Sequence, residues 1–365
     1  MSMSGLRLER MTASPSYRDG VFHNNDPRLE LAKSSRSMLS ATGEFLFGGK
    51  SRRPSGELPI ESPLEAWTRP VETGLRATWL GHSTTLLEID GVRVLTDPVV
   101  WSERISPFSF LGPRRFHRAP AAIGQLPAVD AIIVSHDHFD HLDLPSVREL
   151  ARTVGHHVPF VTALGVGERL EDLGLEPSRI IELDWWESTN VRGLELRATP
   201  SRHFSGRSPW DRNRTLWSSW VMQSDHHRVF FSGDTGLTRD FETIRERAIG
   251  GGEFDLVMLE IGAWDAAWGD IHLGPENALE AHRMLGGKTL LPVHWGTFDL
   301  ALHPWSEPAE TLASLARDTH VITPRLGRSI EPSRIERIDP WWREVGVPEL
   351  GRAGFAGRIA SPADR

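Results

Sequence analysis

The 365-residue chain has no cysteine. That one absence excludes disulfide frameworks, thiolate metal sites and cysteine nucleophiles together. Any metal must be held by nitrogen and oxygen, so imidazole and carboxylate side chains are the ones to follow. Lysine is scarce: only Lys33, Lys50 and Lys288 stand among 41 basic residues. The arginine-rich balance is read as genomic base composition. A single tyrosine stands against 14 tryptophans, side chains that line apolar clefts or sit at wet interfaces. No uninterrupted apolar run reaches the ~18–20 residues that span a bilayer. Excess positive charge is missing too, the formal net charge being −8, so no nucleic-acid partner is expected. Met1–Arg10 lacks the apolar core of a secretory signal. The chain reads as cytoplasmic and soluble, with peripheral membrane contact left open.

What is present fits a globular protein. Hydrophobic residues make up 39% and charged residues 25%, and a chain of this length buries a sizeable core unaided. Residues 1–70, rich in Ser, Arg, Pro and Gly, read as an N-terminal extension with a short helix over Arg28–Ser40 and a loop over Gly48–Pro63. Residues 71–330 read as the catalytic domain and 331–365 as a C-terminal tail containing Trp341 and Trp342. Strands are expected at Leu75–Leu80, Thr84–Ile89 and Val92–Thr96, the last two joined by the hairpin signal Asp90-Gly91. Val129–Ser135 is an apolar strand, followed by a helix over Pro145–Val154 with proline in its first turn. Further strands are expected at Pro159–Thr162, Leu194–Thr199, Arg228–Ser232, Asp255–Leu259 and Thr289–Val293. Helices are expected at Val166–Leu173, Pro275–Leu285 and Pro308–Arg317. This mixture implies an α/β protein built on sheets.

The segment Ser135-His136-Asp137-His138-Phe139-Asp140-His141 follows directly on an apolar strand. A rigid strand end holds a turn whose side chains can converge. His136 and His138 alternate, so they point the same way where the chain stays extended. Asp140 and His141 follow as it turns toward the next helix. Four residues cannot fill two metal shells, and further donors are found at the ends of other expected strands: His203, Asp234 and His294. Taken singly, His203 or His294 is more often a satisfied core histidine than a ligand, and Asp beside Gly more often closes a turn. Their weight comes from the set. A surface metal-scavenging tract does not predict three more donors at strand ends.

His136-x-His138-x-Asp140-His141 with a later His, Asp and His resembles the metallo-β-lactamase superfamily. The blocks Trp79–Glu88, Leu95–Pro98, Leu111–Phe116, Leu183–Glu187, Phe231–Gly236 and Val293–Phe298 resemble its branch of N-acyl-phosphatidylethanolamine-hydrolysing phospholipases D. The resemblance runs from about Trp79 to Arg328. It does not reach residues 1–70, and Ser205–Arg214 departs from it. It implies a four-layer αβ/βα sandwich with two metals at one edge. His136, His138 and His203 would bind the first metal and Asp140, His141 and His294 the second, with Asp234 bridging. The metal implied is two Zn2+, with iron or manganese also compatible with an all-N/O set. Two such ions lower the pKa of bound water from ~15.7 toward ~7. The implied activity is a phosphodiesterase of phospholipase D type acting on N-acyl-phosphatidylethanolamine or related phospholipids, with Asp234 and His272 catalytic.

His272, in Asp270-Ile-His272-Leu-Gly-Pro, matches a histidine near the family's substrate phosphate and reads as a donor or general acid. Its alternative is capping or packing on the following helix. His82 orients the site or touches substrate. Asp97 supports the ligands, Arg207 binds a phosphate oxygen or lies on the surface, and Asp137 is a spacer. His156, His157, His226 and His227 read as surface residues. Trp264, Trp268 and Trp295 would line an apolar cleft, against the ordinary alternative of buried core. Competing functions are a lactonase or small-molecule phosphodiesterase on the same fold, and a metal-binding sensor without turnover. The sequence leaves oligomeric state open, a dimer included.

Overall fold

The computed structural model describes residues 5–25, 50–106, 112–265 and 270–346. The helix expected over Arg28–Ser40 lies outside them, as does Trp268. An N-terminal arm contributes helix α1 (Gly5–Ala13) and a short hairpin, β1 (Tyr17–Arg18) with β2 (Val21–Phe22). After α2 (Leu64–Thr68), the first sheet is laid down by β3 (Leu75–Gly81), β4 (Thr84–Ile89), β5 (Val92–Thr96), β6 (Ala131–Val134), β7 (Phe160–Ala163) and β8 (Ile180–Leu183). Helices α3 (Leu144–Thr153) and α4 (Val166–Asp172) carry the chain between its last three strands. The second sheet follows: β9 (Ser188–Val191), β10 (Leu194–Thr199), β11 (Ser219–Gln223), β12 (Arg228–Phe231), β13 (Leu256–Glu260) and β14 (Leu290–Val293). Helices α5 (Asp240–Ile249) and α6 (Gly274–Leu285) connect its last three strands. Helix α7 (Glu307–Leu315) precedes β15 (Ser329–Ile330), which returns to the first sheet beside β3.

The hairpin between β4 and β5 turns where Asp90-Gly91 predicts it, with φ of 49° and 85°. Both residues must be left-handed for a two-residue turn of matching twist. The sheet's two faces divide by the period of two. Ala77, Trp79, Leu87, Ile89, Val94, Ala131 and Ile133 face the core shared with the second sheet. Leu86, Leu95, Ile132 and Val134, one residue out of phase, join Val147 and Leu150 of α3 and Val166 and Leu170 of α4 in an outer core. On the other flank, Phe241 and Ile244 of α5, Ala278 and Ala281 of α6 and Leu312 of α7 pack with the second sheet. The result is a four-layer αβ/βα sandwich. Strands buried on both faces explain why several read as continuous apolar runs.

Parallel pairing positions the site. β5 to β8 run parallel in one sheet and β12 to β14 in the other. The C-terminal ends of β5, β6, β12, β13 and β14 therefore supply a shared rim.

Several elements are missing from the sequence reading. Helix α5 has only Phe241, Ile244 and Ile249 buried, a stripe too thin to stand out among its charges. Strand β9 is a mostly polar edge strand of four residues. The stretch beyond residue 330 reads in the sequence as a tail. Trp341 and Trp342 lie buried in the sandwich core, and two adjacent aromatic residues are too short a signal to register as periodicity. Likewise part of the N-terminal extension is docked, with Met11 and Phe22 buried in the outer core.

Candidate metal centre

Each donor emerges from the rim. Ser135 and His136 follow β6, Asp234 follows β12 across Ser232-Gly233, His294 follows β14, and His203 lies four residues beyond β10. The structure brings all seven sequence-predicted donors together in two clusters. In the first, His136 Nε2 lies 2.8 Å from His138 Nδ1, which lies 3.3 Å from His203 Nε2. Asp234 Oδ2 faces this group, 3.9 Å from His136 Nε2 and 3.6 Å from His203 Nε2. In the second, Asp140 Oδ2 lies 3.6 Å from His141 Nε2 and 3.3 Å from His294 Nε2. Asp234 Oδ1 faces these, at 3.1 Å and 3.3 Å from the same two nitrogens. One carboxylate thus presents a different oxygen to each cluster. The donor atoms of His136, His138, His203 and Asp234 lie within 4.8 Å of one another, and so do those of Asp140, His141, His294 and His82, close enough in each case to hold a metal ion.

The buried chemistry fits a cation. His141 Nε2 and Asp234 Oδ1 are buried 3.1 Å apart without an aligned hydrogen bond to each other or to any other described residue, and buried polar atoms in that state are costly unless something binds them. Burial would lower the His141 pKa, yet Asp234, Asp140 and Asp97 raise it well above the usual imidazole range. Burial would raise Asp234, yet His141 and His294 hold it well below the carboxylate range. In contrast, burial leaves His136 and His203 well below theirs, so both are neutral rings with a lone pair to give.

Neighbours fix the rings. Asp97 Oδ2 accepts from His141 Nδ1 at 2.6 Å, and Asp97 also takes the Ser135 N–H and hydroxyl, both at 2.7 Å. Ser135 Oγ lies 2.9 Å from His136 Nδ1. His203 Nδ1 donates to the Ile271 carbonyl at 2.9 Å, which turns Nε2 toward Asp234. His82 is buried with Nε2 3.2 Å from Asp140 Oδ2. Its carbonyl accepts the His294 N–H at 3.0 Å, so it ties two donors together.

Glu260, at the end of β13, is a site residue absent from the sequence reading. Its signal is a lone acid closing the apolar strand Leu256-Val-Met-Leu-Glu260, and it is fully buried. Glu260 Oε2 accepts from His272 Nδ1 at 2.5 Å. Burial would lower His272, but Glu260, Asp234 and Asp140 raise it to about 9. His272 Nδ1 stands 4.0 Å from Asp234 Oδ2, so this acid–imidazole pair borders the cluster. His272, Glu260, Asp234 and His294 form a third group of donor atoms within 4.8 Å.

Three minor expectations change. Arg207 neither faces the site nor lies free on the surface. It donates to the carbonyls of Asp137 and Leu142 and stacks over Phe139, bracing the donor loop from behind. Asp137 is no spacer: it is buried and accepts the Gly206 N–H at 2.7 Å. Trp295 stacks on Trp79 and Trp341, with centroids 5.4 Å and 5.2 Å apart. It is chiefly core, although it edges a cleft beside the site with His82, His294, Phe298, His303 and Trp305. Trp264 is half-buried and stacks on His303. His156, His157 and His226 are exposed; His227 is half-buried against Asp90 at 2.9 Å.

Comparison with known proteins follows the same outline. A family described as a beta-lactamase superfamily domain matches residues 92–295. An uncharacterized protein of Mycobacterium tuberculosis is 45% identical over 335 residues, covering 90% of this chain and 88% of that one. N-acyl-phosphatidylethanolamine-hydrolyzing phospholipase D 1 of Caenorhabditis elegans is 33% identical over 279 residues, covering 72% and 77%. Among solved structures, an isothiocyanate hydrolase from Delia radicum gut bacteria aligns with a TM-score of 0.56 at 21% identity. It covers 70% of this chain and 98% of that one, a likeness of fold.

Proposed function

Because the chain belongs to the metallo-β-lactamase superfamily, we propose that it is a dinuclear zinc phosphodiesterase of the phospholipase D type. Its substrate is N-acyl-phosphatidylethanolamine or a related phospholipid. The chain is a metal-dependent hydrolase of that family. The observation that carries the finer reading is Asp234, whose two oxygens face two separate donor sets.

His136, His138 and His203 would hold one ion, Asp140, His141 and His294 the other, and Asp234 both. Two such cations supply an activated water at neutral pH and neutralise charge on the phosphoryl group. The all-N/O donor set also accepts iron or manganese. Hydrolysis breaks the phosphorus–oxygen bond to the leaving alcohol and forms one to the oxygen of water. The departing alkoxide takes a proton, and His272 is the cationic acid placed to give it. Glu260 keeps that imidazole charged and oriented. A neutral amide gains less from this arrangement than an anionic phosphodiester does.

The lipid reading is supported by the name of the worm relative and by one exposed loop. Trp210 is 87% exposed, and Arg212 and Arg214 are exposed beside it. Trp favours the headgroup region of a bilayer and Arg its anionic surface. No helix among the described residues is long and apolar enough to cross a membrane, so contact would be peripheral.

The test is turnover by metal-replete protein on an aryl phosphodiester and on micellar N-acyl-phosphatidylethanolamine. Both are expected to be cleaved, the lipid faster. Efficient lactone hydrolysis with no phosphodiester turnover would replace the reading.

A further inference from the structure

One side-chain amide holds both backbone groups of a residue in the donor set, and it comes from the far N-terminal arm. Asn24 Nδ2 donates to the His203 carbonyl at 2.8 Å, and the His203 N–H donates to Asn24 Oδ1 at 3.1 Å. Trp217 Nε1 donates to the same oxygen at 3.1 Å, which fixes the amide's orientation. This is the pairing a neighbouring strand would give, supplied where His203 has none. Strand β10 ends at Thr199 and β11 begins at Ser219.

The arm is anchored away from the site. Arg7 pairs with Glu171 at 2.5 Å and with Glu182 at 2.6 Å, on α4 and β8 respectively. Met11 and Phe22 are buried, and the Phe22 N–H donates to the Asn213 carbonyl at 2.8 Å. Asn24 is therefore placed by contacts that owe nothing to a metal.

We infer that Asn24 is a positioning residue for the His136–His138–His203 half of the centre, and that residues 5–25 act as a clamp setting the metal affinity of that half. The inference rests on the reading of His203 as a ligand. Only an amide of this length offers a donor and an acceptor at the required spacing. Aspartate would set a carboxylate oxygen against the His203 carbonyl, and alanine would leave a buried N–H and C=O unpaired.

The experiment is chelator competition on the full-length zinc protein, resolving the two ions, with the melting temperature of the metal-free form measured alongside. Asn24→Ala and Asn24→Asp should each weaken one ion by about 10–100-fold, the scale for a residue that orients a ligand. The other ion should stay unchanged. Arg7→Ala, which loosens the arm remotely, should give a smaller loss of the same ion. Wild-type retention of both ions in the Asn24 variants overturns the inference. So does an equal loss of both ions with a lowered metal-free melting temperature, which marks a general folding role. His203→Ala separates the two ideas. If it keeps both ions, the ligand reading fails and takes the clamp with it. If it loses one ion while the Asn24 variants keep both, the clamp alone fails.

Discussion

The two halves of the centre face the same carboxylate but are made of different material. His136, His138 and His203 are three imidazoles supported by neutral groups: the Ser135 hydroxyl, the Ile271 carbonyl and the Asn24 amide. Asp140, His141 and His294 sit among acids, with Asp97 against His141 and Glu260 Oε2 3.8 Å from His294 Nδ1. Burial strips protons from His136 and His203, whereas the surrounding carboxylates hold one on His141. A cation entering the first half displaces nothing. A cation entering the second must displace a proton, so its affinity there rises with pH. The second half compensates with charge, with Asp97 at the end of β5 and Glu260 at the end of β13 beside its rings. The first depends on loops and on an arm whose Asn24 lies 179 residues from His203 in sequence.

The largest effect should come from the residue the halves share. Asp234→Asn removes the charge that offsets two cations, and its amide nitrogen cannot coordinate on one side. Turnover is expected to vanish and at least one ion to be lost, measured by elemental analysis with an aryl phosphodiester assay. Near-normal rate with full metal would show that the halves do not share Asp234. Next is His272, which borders both halves without belonging to either proposed ligand set. His272→Ala should keep both ions and lose about 10²-fold or more in rate, the scale of a positioned acid. Metal loss in step with rate would make His272 a ligand, in keeping with the third donor group it forms with Glu260.

A finer cut separates the halves. Asp97→Asn keeps the size and the acceptor that takes the Ser135 N–H. If its amide donates to His141 Nδ1, the ring proton moves to Nε2, the atom that faces Asp234 and Asp140. Affinity of the acidic half should fall by about 10–100-fold while the imidazole half holds. Asn24 variants should do the reverse. If both substitutions release the same ion, the comparison between halves is broken.

The sequence announced the rim better than it announced what holds the rim. Strands β4, β5 and β10 lie at the expected residues, because alternation and the Asp90-Gly91 turn are local signals. The seven candidate donors are legible as a set because four of them follow one apolar strand and the other three stand shortly beyond the ends of three more. Asn24 was not, since one asparagine in a polar segment has no period and its partner is 179 residues distant. Glu260 was legible in principle as an acid ending a buried strand. Strand β11 escaped because Ser219-Trp-Val-Met-Gln is short and follows a loop with several turn residues. The roles of Arg207 and Asp137 depend on which way a loop folds back, and composition carries no such information.

The smallest predicted effect tests where the asymmetry meets the substrate. The acidic half is framed by the sandwich, but the imidazole half opens onto the loop that follows His203. That loop is tied to the donor segment, since Gly206 donates to Asp137 and Arg207 to the Asp137 carbonyl. Its tip carries Trp210, the most exposed large apolar side chain among the described residues. A bulky indole in water has a cost that a lipid headgroup layer removes. Trp210 makes no contribution to either donor set, so Trp210→Ala should leave metal content and aryl phosphodiester turnover unchanged. On micellar lipid the apparent KM should rise by roughly 10-fold, the equivalent of about 1.4 kcal/mol of lost surface affinity, with kcat little altered. Equal kinetics on both substrates would remove the loop from lipid recognition. A matching loss on the soluble ester would show that Trp210 acts through the His203 side of the centre and not at a membrane surface.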